Sequence, residues 1–353
     1  MTWRSISADE LNKMKEPVIV DVRSPCEHEV ERIPNSINIP LLSNEERAEV
    51  GTIYKTEGEV TARRHALRII SPKIPSIVDE VLALRSSGHA LVVHCWRGGL
   101  RSEAVASFLS VVGIDCWKLT GGYKAWRRQV LDDFACQRFD FHPIVLYGLT
   151  GAGKTEILKI LEGAGCCVLD LEGLANHRGS VFGGMGLGLQ PTQKNFEGLL
   201  WLRLGKLQNQ PVILECESRK IGKIALPDLI MERIAGGRRI LVEGSLACRA
   251  RRIIDDYASK LDEASRRQAV DSLHNLRERL GAKRVLSIQK MFESQETQAA
   301  VEALLVDYYD PLYQRHVSGH EPYELIVDGD HPHRAATQIK DWVTSRSDFA
   351  LHQ

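Results

Sequence analysis

Cys95 has the most chemically suggestive surroundings in the chain. It follows the apolar run Ala90–His94 and opens the segment Trp96-Arg97-Gly98-Gly99-Leu100-Arg101-Ser102, after which apolar residues recur at helical spacing to Val112. A turn between a strand and a helix points successive backbone N–H groups inward, and the helix N-terminus adds positive potential. Such a setting favours the thiolate, the nucleophilic form of cysteine. Arg97 and Arg101 add charge that can grip an oxyanion, and Gly98 and Gly99 let the backbone curl around it. The chemistry implied is attack on, or transfer from, an anionic donor carrying sulfur, selenium or phosphorus. An inert buried thiol is the competing reading, and the two arginines and two glycines weigh against it.

A second group of residues points to phosphate. Gly148-Leu149-Thr150-Gly151-Ala152-Gly153-Lys154-Thr155 fits Gly-x4-Gly-Lys-Ser/Thr, between the apolar run Pro143–Tyr147 and a helical pattern from Lys154 to Glu162. That context defines a P-loop. Backbone N–H groups around Gly148, Gly151 and Gly153 and the helix N-terminus hold phosphates. Lys154 reaches the terminal phosphates, and the Thr155 hydroxyl is placed to ligate Mg²⁺. Glu215, at the end of Val212–Leu214, is the best second acid for such a metal, with Asp170 and Glu217 behind it. Each is equally a surface acid at a strand end. No set of residues has metal-ligand spacing, so no metal site is assigned, and Mg²⁺ stays an open expectation. The ligand class is a phosphorylated molecule with a diphosphate-like tail.

These residues need elements to position them. Pro17–Val22, Ala90–His94 and Asp115–Leu119 read as buried strands, and residues 44–88 as mostly helical. The pattern restarts after a boundary near residues 132–142. Strands are then expected at Pro143–Tyr147, Cys166–Asp170, Val212–Glu215, Arg239–Glu243 and Tyr323–Val327, with charged amphipathic helices over 249–315. Gly179 to Gly188 holds five glycines in ten residues, which suits either a loop approaching a ligand or a plain surface connection. With 353 residues, 43% hydrophobic and 26% charged, the chain reads as two globular domains rather than a disordered or fibrous one.

Formal net charge is zero, yet Arg219 to Arg252 holds nine Lys/Arg against three Asp/Glu. That stretch is a solvated face or a local basic patch for RNA. The eight cysteines form no Cys-x2-Cys pair, which argues against a zinc ribbon or a thioredoxin motif. Their scatter through apolar segments suits a reducing compartment. No signal peptide and no run of about 18 apolar residues is evident, so a cytoplasmic, non-membrane protein is expected.

Family resemblances narrow the reading. The spacing Cys95-x5-Arg101 after a histidine is shared with cysteine-dependent phosphatases. The flanks favour another family. Asp21-Val22-Arg23-Ser24-Pro25-x-Glu27, Ile33-Pro34-Asn35-Ser36-Ile37-Asn38-Ile39-Pro40 and Leu119-Thr120-Gly121-Gly122-Tyr123-Lys124-Ala125-Trp126 resemble, in order, the segments of rhodanese domains. Glu31-Arg32 departs from that family's usual Gly-His. Asp21, Arg23 and Glu27 read as structural ion pairs rather than catalysts.

Beyond both motifs the chain resembles the bacterial tRNA 2-selenouridine synthase family. The segments that carry this are Asn44–Lys55, Asp170–Gly183, Gln193–Leu200, Leu214–Gly222 and Tyr308–Tyr313. Ala152 stands where some relatives carry another small residue, a change that leaves phosphate binding undisturbed.

The resemblance implies an α/β fold: a rhodanese-like parallel sheet domain over 1–134, then a P-loop NTPase-like α/β domain with a helical C-terminal part over 135–353. It implies conversion of wobble 2-thiouridine in tRNA to 2-selenouridine. Sulfur is first alkylated from geranyl diphosphate, and selenium from selenophosphate then replaces the S-geranyl group. The P-loop suits the prenyl diphosphate and the Cys95 loop the selenophosphate, with Cys95 either carrying selenium or activating the base. Asp170, Glu172, His177, Arg178 and Ser180 are assigned substrate contact, and 219–252 the tRNA backbone. No tightly bound cofactor is expected, and a selenophosphate-supplying enzyme is an expected partner. The competing functions are a sulfurtransferase fused to an NTP-dependent kinase or NTPase, a binding module with an inactive rhodanese domain, and a cysteine phosphatase.

Overall fold

Five short strands build the first sheet: β1 Trp3–Ile6, β2 Val18–Asp21, β3 Ile37–Asn38, β4 Leu91–His94 and β5 Cys116–Leu119. The computed structural model describes residues 3–84, 89–179, 183–184, 187–258, 276–313, 319 and 322–346. The strand order is β1-β5-β4-β2-β3, and every pairing is parallel. Helices connect the strands and cover the sheet, so the central strands are apolar throughout: Val20, Val92 and Val93 are all buried. Val22, Val93, Val105, Ala106 and Leu109 share one core. β1 escaped the sequence reading because its residues alternate between partly buried, exposed and buried positions, as an edge strand's do.

The expected helical stretch resolves into Asn44–Thr56, Glu59–Ile70 and Ile74–Ala83. Ser43 opens the first of these as a capping box with Glu46, which satisfies two otherwise unpaired N–H groups. The helix Leu100–Val111 starts directly after the Cys95 loop, and Gly122–Ala135 follows β5.

The second sheet comprises β6 His142–Tyr147, β7 Val168–Leu169, β8 Pro211–Glu215, β11 Arg238–Glu243 and β12 Leu325–Asp328. Its order is β12-β11-β6-β8-β7, all parallel, so β6 is central and delivers the P-loop between two neighbours. The helix Lys154–Gly163 packs Ile157, Leu158 and Leu161 against Ile144, Ile213 and Ile240. A hairpin of β9 Lys220–Ile221 and β10 Ile224–Ala225 lies inside the basic stretch, where the sequence showed no strand signal. The helical region holds Leu246–Ala258, Ala282–Glu293 and Thr297–Leu304 around Val285, Ile288, Val301 and Leu305. The remainder of the expected span there, 259–275 and 314–315, lies outside the described residues.

Two compact units emerge: Met1–Arg138 with Lys194–Gly205, and Phe139–Gln193 with Lys206–Gln353. The division is therefore not a single cut in the chain. The helix Gln193–Gly205 returns to the first unit because its apolar side chains find partners there. Trp201 meets Trp126 edge-on at 5.9 Å and donates its indole N–H to Asp133 at 2.8 Å.

Candidate functional site

In the first unit, β4 ends at His94 and the next residue, Cys95, is buried with its Sγ 3.3 Å from Ser102 Oγ. Ser102 is fully buried one turn into the helix that begins at Leu100, and its hydroxyl also reaches the Gly99 carbonyl at 3.1 Å. The loop is pinned from behind, where the N–H groups of Tyr123 and Lys124 donate to the carbonyls of Cys95 and Trp96, both at 2.9 Å. Gly98 has to be glycine because a Cβ there would lie 2.5 Å from the Leu119 carbonyl oxygen. Arg97 is exposed. Arg101 is ion-paired with Glu27, Nη1 at 2.7 Å and Nη2 at 3.3 Å.

Beneath the loop lies a buried charge network. Arg23 and Asp21 are both fully buried and paired, with Arg23 Nη2 2.6 Å from Asp21 Oδ2. His28 approaches the same carboxylate oxygen at 3.1 Å. The Arg23 guanidinium lies 4.6 Å from the centre of the Tyr123 ring. Burial works against the charge on Asp21, but the His28 hydrogen bond, His94 and Arg23 outweigh it and hold the carboxyl well below the ordinary range. Burial pushes His94 down to about 4, so it is neutral at pH 7. The structural reading of Asp21, Arg23 and Glu27 agrees with this geometry, and Ser102 is the residue the sequence reading passed over. Its clue was its position, seven residues after the cysteine in the first turn of the following helix.

In the second unit, one cleft of about 800 Å³ gathers residues from the P-loop, from the segments after β7 and β8 and from the helical region. Gly148, Gly151, Gly153, Lys154, Thr155, Asp170, Glu172, His177, Arg178 and Glu215 all line it. Ser180 lies outside the described residues, as do 181–182 and 185–186 of the glycine-rich run. Lys154 Nζ donates to the Gly148 carbonyl at 2.9 Å, and Thr155 Oγ1 donates to Glu172 Oε2 at 3.2 Å. Asp170 caps the short helix Leu171–Ala175, accepting from the Gly173 N–H at 2.7 Å. The Nδ1 of His177 accepts from the Gly179 N–H at 3.1 Å, which leaves the proton on Nε2.

Sequence spacing gave no metal-ligand set, yet the fold makes one. Carboxylate oxygens of Glu172, Glu215 and Glu217 all lie within 4.8 Å of one another. Glu215 is only 2% exposed, and its Oε1 has no hydrogen-bond partner. Burial, and then repulsion from its neighbours, raises the carboxyl of Glu172, and burial leads for Glu215 and Glu217 as well. Gly179 closes over the group because it lacks a side chain: a Cβ would lie 2.5 Å from Glu172 Oε1 and 3.4 Å from Glu217 Oε2. Hard carboxylate oxygens beside the Thr155 hydroxyl fit a cation such as Mg²⁺.

The basic stretch does not form a continuous patch. Arg219, Arg233, Arg238, Arg249 and Arg252 are each in an ion pair, and Arg249 is buried against Asp310. The run mixes hairpin, strand and helix, so its cations point in different directions. Lys220, Lys223 and Arg251 remain exposed, and of the stretch's cations Arg251 and Arg252 line the cleft. Tyr313, which also lines the cleft, had been singled out only within the Tyr308–Tyr313 resemblance.

One unit thus presents a strand–cysteine–helix loop and the other a P-loop above a carboxylate cluster, which together define a two-site α/β enzyme that handles anionic groups. Family models place the chain more narrowly. A rhodanese-like domain matches residues 7–129, and the tRNA 2-selenouridine synthase AAA domain matches residues 141–347. The tRNA 2-selenouridine synthase of Shewanella loihica is 35% identical over 342 residues, covering 89% of this chain and 90% of that protein. That of Pseudomonas fluorescens is 35% identical over 324 residues, covering 84% and 87%. That of Shewanella pealeana is 32% identical over 361 residues, covering 94% and 97%. The chain belongs to the tRNA 2-selenouridine synthase family. It is an enzyme of transferase type, with a rhodanese-like sheet, an AAA/P-loop-like sheet and a helical C-terminal region. Among the described residues no helix is long and apolar enough to cross a membrane.

Proposed function

We propose that this enzyme replaces the sulfur of 2-thiouridine at the wobble position of tRNA with selenium, in two steps divided between residues 135–353 and 1–134. The observation that supports the reading is the match, over nearly the whole length, to relatives named tRNA 2-selenouridine synthase. In the first step the thiocarbonyl sulfur attacks C1 of geranyl diphosphate. The C–O bond breaks and diphosphate leaves. Gly148, Gly151, Gly153 and Lys154 hold the diphosphate, while Asp170, Glu172, His177, Arg178 and Ser180 meet the substrate around it. Thr155 and Glu215 would hold Mg²⁺, which would supply charge against the leaving diphosphate.

In the second step the Cys95 loop holds selenophosphate, with Arg97 and Arg101 on its phosphate and Gly98 and Gly99 lining the turn. Selenium attacks C2 of the base and the S-geranyl group departs as the thiol. Water takes up the phosphoryl group as phosphate. Electron counting separates the two roles open to Cys95. A perselenide formed from selenophosphate would leave phosphorus reduced as phosphite, whereas release of phosphate leaves selenium as selenide with no covalent cysteine carrier. Cys95 therefore acts on the base, adding to the ring and leaving again without net redox change.

The test is mass spectrometry of tRNA nucleosides after incubation with geranyl diphosphate, then selenophosphate. S-geranyl-2-thiouridine is expected first, with diphosphate released, and 2-selenouridine second, with phosphate and no phosphite by ³¹P NMR. Cys95→Ser should abolish the second product and spare tRNA binding. Absence of the geranylated nucleoside, with tRNA-stimulated ATP hydrolysis in its place, would overturn the reading.

A further inference from the structure

The carboxylate cluster has a property that an ordinary P-loop lacks. Mg²⁺ usually reaches a phosphate site held by one or two carboxylates, with the substrate phosphates and water completing its shell. Here three carboxylates converge from two segments, after β7 and at the end of β8, with oxygens within 4.8 Å of one another. Neighbouring oxygens of an octahedral shell at about 2.1 Å from Mg²⁺ are roughly 3 Å apart, and at about 2.4 Å from a larger cation roughly 3.4 Å. The cluster, with oxygens within 4.8 Å of one another, therefore needs only a modest closure of its side chains around either ion.

The observation that makes this more than a group of acids is Glu215 Oε1. It belongs to a carboxylate of the cluster that is 2% exposed, and it has no hydrogen-bond partner. A buried carboxylate oxygen left in that state is costly unless something completes it. The nearby ammonium does not fill the role, because Lys154 Nζ is turned onto the Gly148 and Leu149 carbonyls at 2.9 and 3.5 Å. Thr155 Oγ1, 3.2 Å from Glu172, adds a neutral oxygen at the edge of the group.

We propose that Glu172, Glu215 and Glu217 bind a divalent cation on their own, before any diphosphate enters the cleft. The ion is then part of the resting enzyme, and the diphosphate arrives at a preformed positive site. This rests on the proposed function only for the identity of the later ligand, since the ion is held by protein oxygens alone.

The test titrates the full chain with Mn²⁺, read by electron paramagnetic resonance, with no phosphate, diphosphate or tRNA present. One bound Mn²⁺ per chain is expected. Glu172→Gln, Glu215→Gln and Glu217→Gln should each weaken it at least tenfold, while Glu156→Gln, an exposed acid of the same cleft, should not. The wild-type chain should also melt at a higher temperature with Mn²⁺, because the ion binds only the folded state. That readout stands even if a variant fails to fold. Binding that appears only after diphosphate is added, variants that bind like the wild type, or a melting temperature indifferent to Mn²⁺ would each overturn the proposal. None of these outcomes bears on whether the geranylated nucleoside forms.

Discussion

The Arg101 guanidinium is clamped by Glu27, with Nη1 2.7 Å from one carboxylate oxygen and Nη2 3.3 Å from the other. Glu27 stands in the first turn of the helix Pro25–Val30, so a segment far upstream of Cys95 aims the arginine of its loop. Both side chains are about a quarter exposed, at 26% and 21%, so the pair is worth less than about 1 kcal/mol to stability. Its effect should instead fall on anion binding. Glu27→Gln is expected to weaken phosphate or thiosulfate protection of Cys95 against iodoacetamide by roughly three- to tenfold, with the melting temperature nearly unchanged. Equal protection in the variant and the wild type would remove Glu27 from that role.

His94 makes the chain sensitive to mild acid. Its ordinary value is 6.5, and burial pushes it down to about 4 in the folded chain. The unfolded state therefore binds a proton that the folded state refuses, so stability rises with pH between those two values. The gap corresponds to roughly 3 kcal/mol lost on going from pH 7 to pH 4. Asp21 acts in the same direction in a lower window, because its depressed carboxyl contributes stability that is lost only as pH falls below the usual carboxylate range. Urea unfolding of the full chain followed by tryptophan fluorescence should show the first loss, and His94→Gln should flatten the curve between pH 4 and 6.5. A wild-type curve that is already flat there would refute the assignment.

What could be read from residue order alone depended on how local each feature is. The P-loop and the Cys95 loop are continuous segments between a strand and a helix, so Lys154 and Cys95 stood out at once. The central strands also announced themselves, since parallel strands covered on both faces are apolar throughout, as Leu91–His94 and Ile144–Tyr147 are. Features assembled across the chain were not visible. Glu215 and Glu217 stood out as acids for a metal, but Glu172 joins them only because β7 and β8 lie side by side. The return of Gln193–Gly205 to the first unit depends on Trp201 finding Asp133. The dispersal of the basic stretch was hidden for the complementary reason: cations close in sequence are separated among different elements, and some pair with distant acids such as Asp310 and Glu324.

That returning helix gives a packing prediction. Gly198 faces the first unit's core, where a Cβ would lie 2.7 Å from Cη2 of Trp126 and 3.3 Å from Cγ of Pro34. Trp126 is fully buried and cannot swing aside. Gly198→Ala should therefore cost about 1–3 kcal/mol through overpacking, despite alanine's better helix propensity. A lowered urea midpoint with an unchanged slope is the expected result. A stabilised variant would mean that helix and core can part without cost.

Lys154 separates the two proposed steps. Its ammonium donates to P-loop carbonyls and forms no ion pair, so Lys154→Ala breaks no salt bridge and should still fold, with the carboxyls of Glu172, Glu215 and Glu217 pushed further up by the loss of its charge. What it removes is the cation that would meet a diphosphate in the cleft. Formation of S-geranyl-tRNA from geranyl diphosphate should fall at least a hundredfold in single-turnover mass spectrometry, an effect in keeping with loss of a charge-stabilising group. The same variant given tRNA already geranylated should still install selenium, because that step belongs to the Cys95 loop. Loss of both steps together would mean the P-loop serves the selenium transfer as well, and the division between the sites would have to be redrawn.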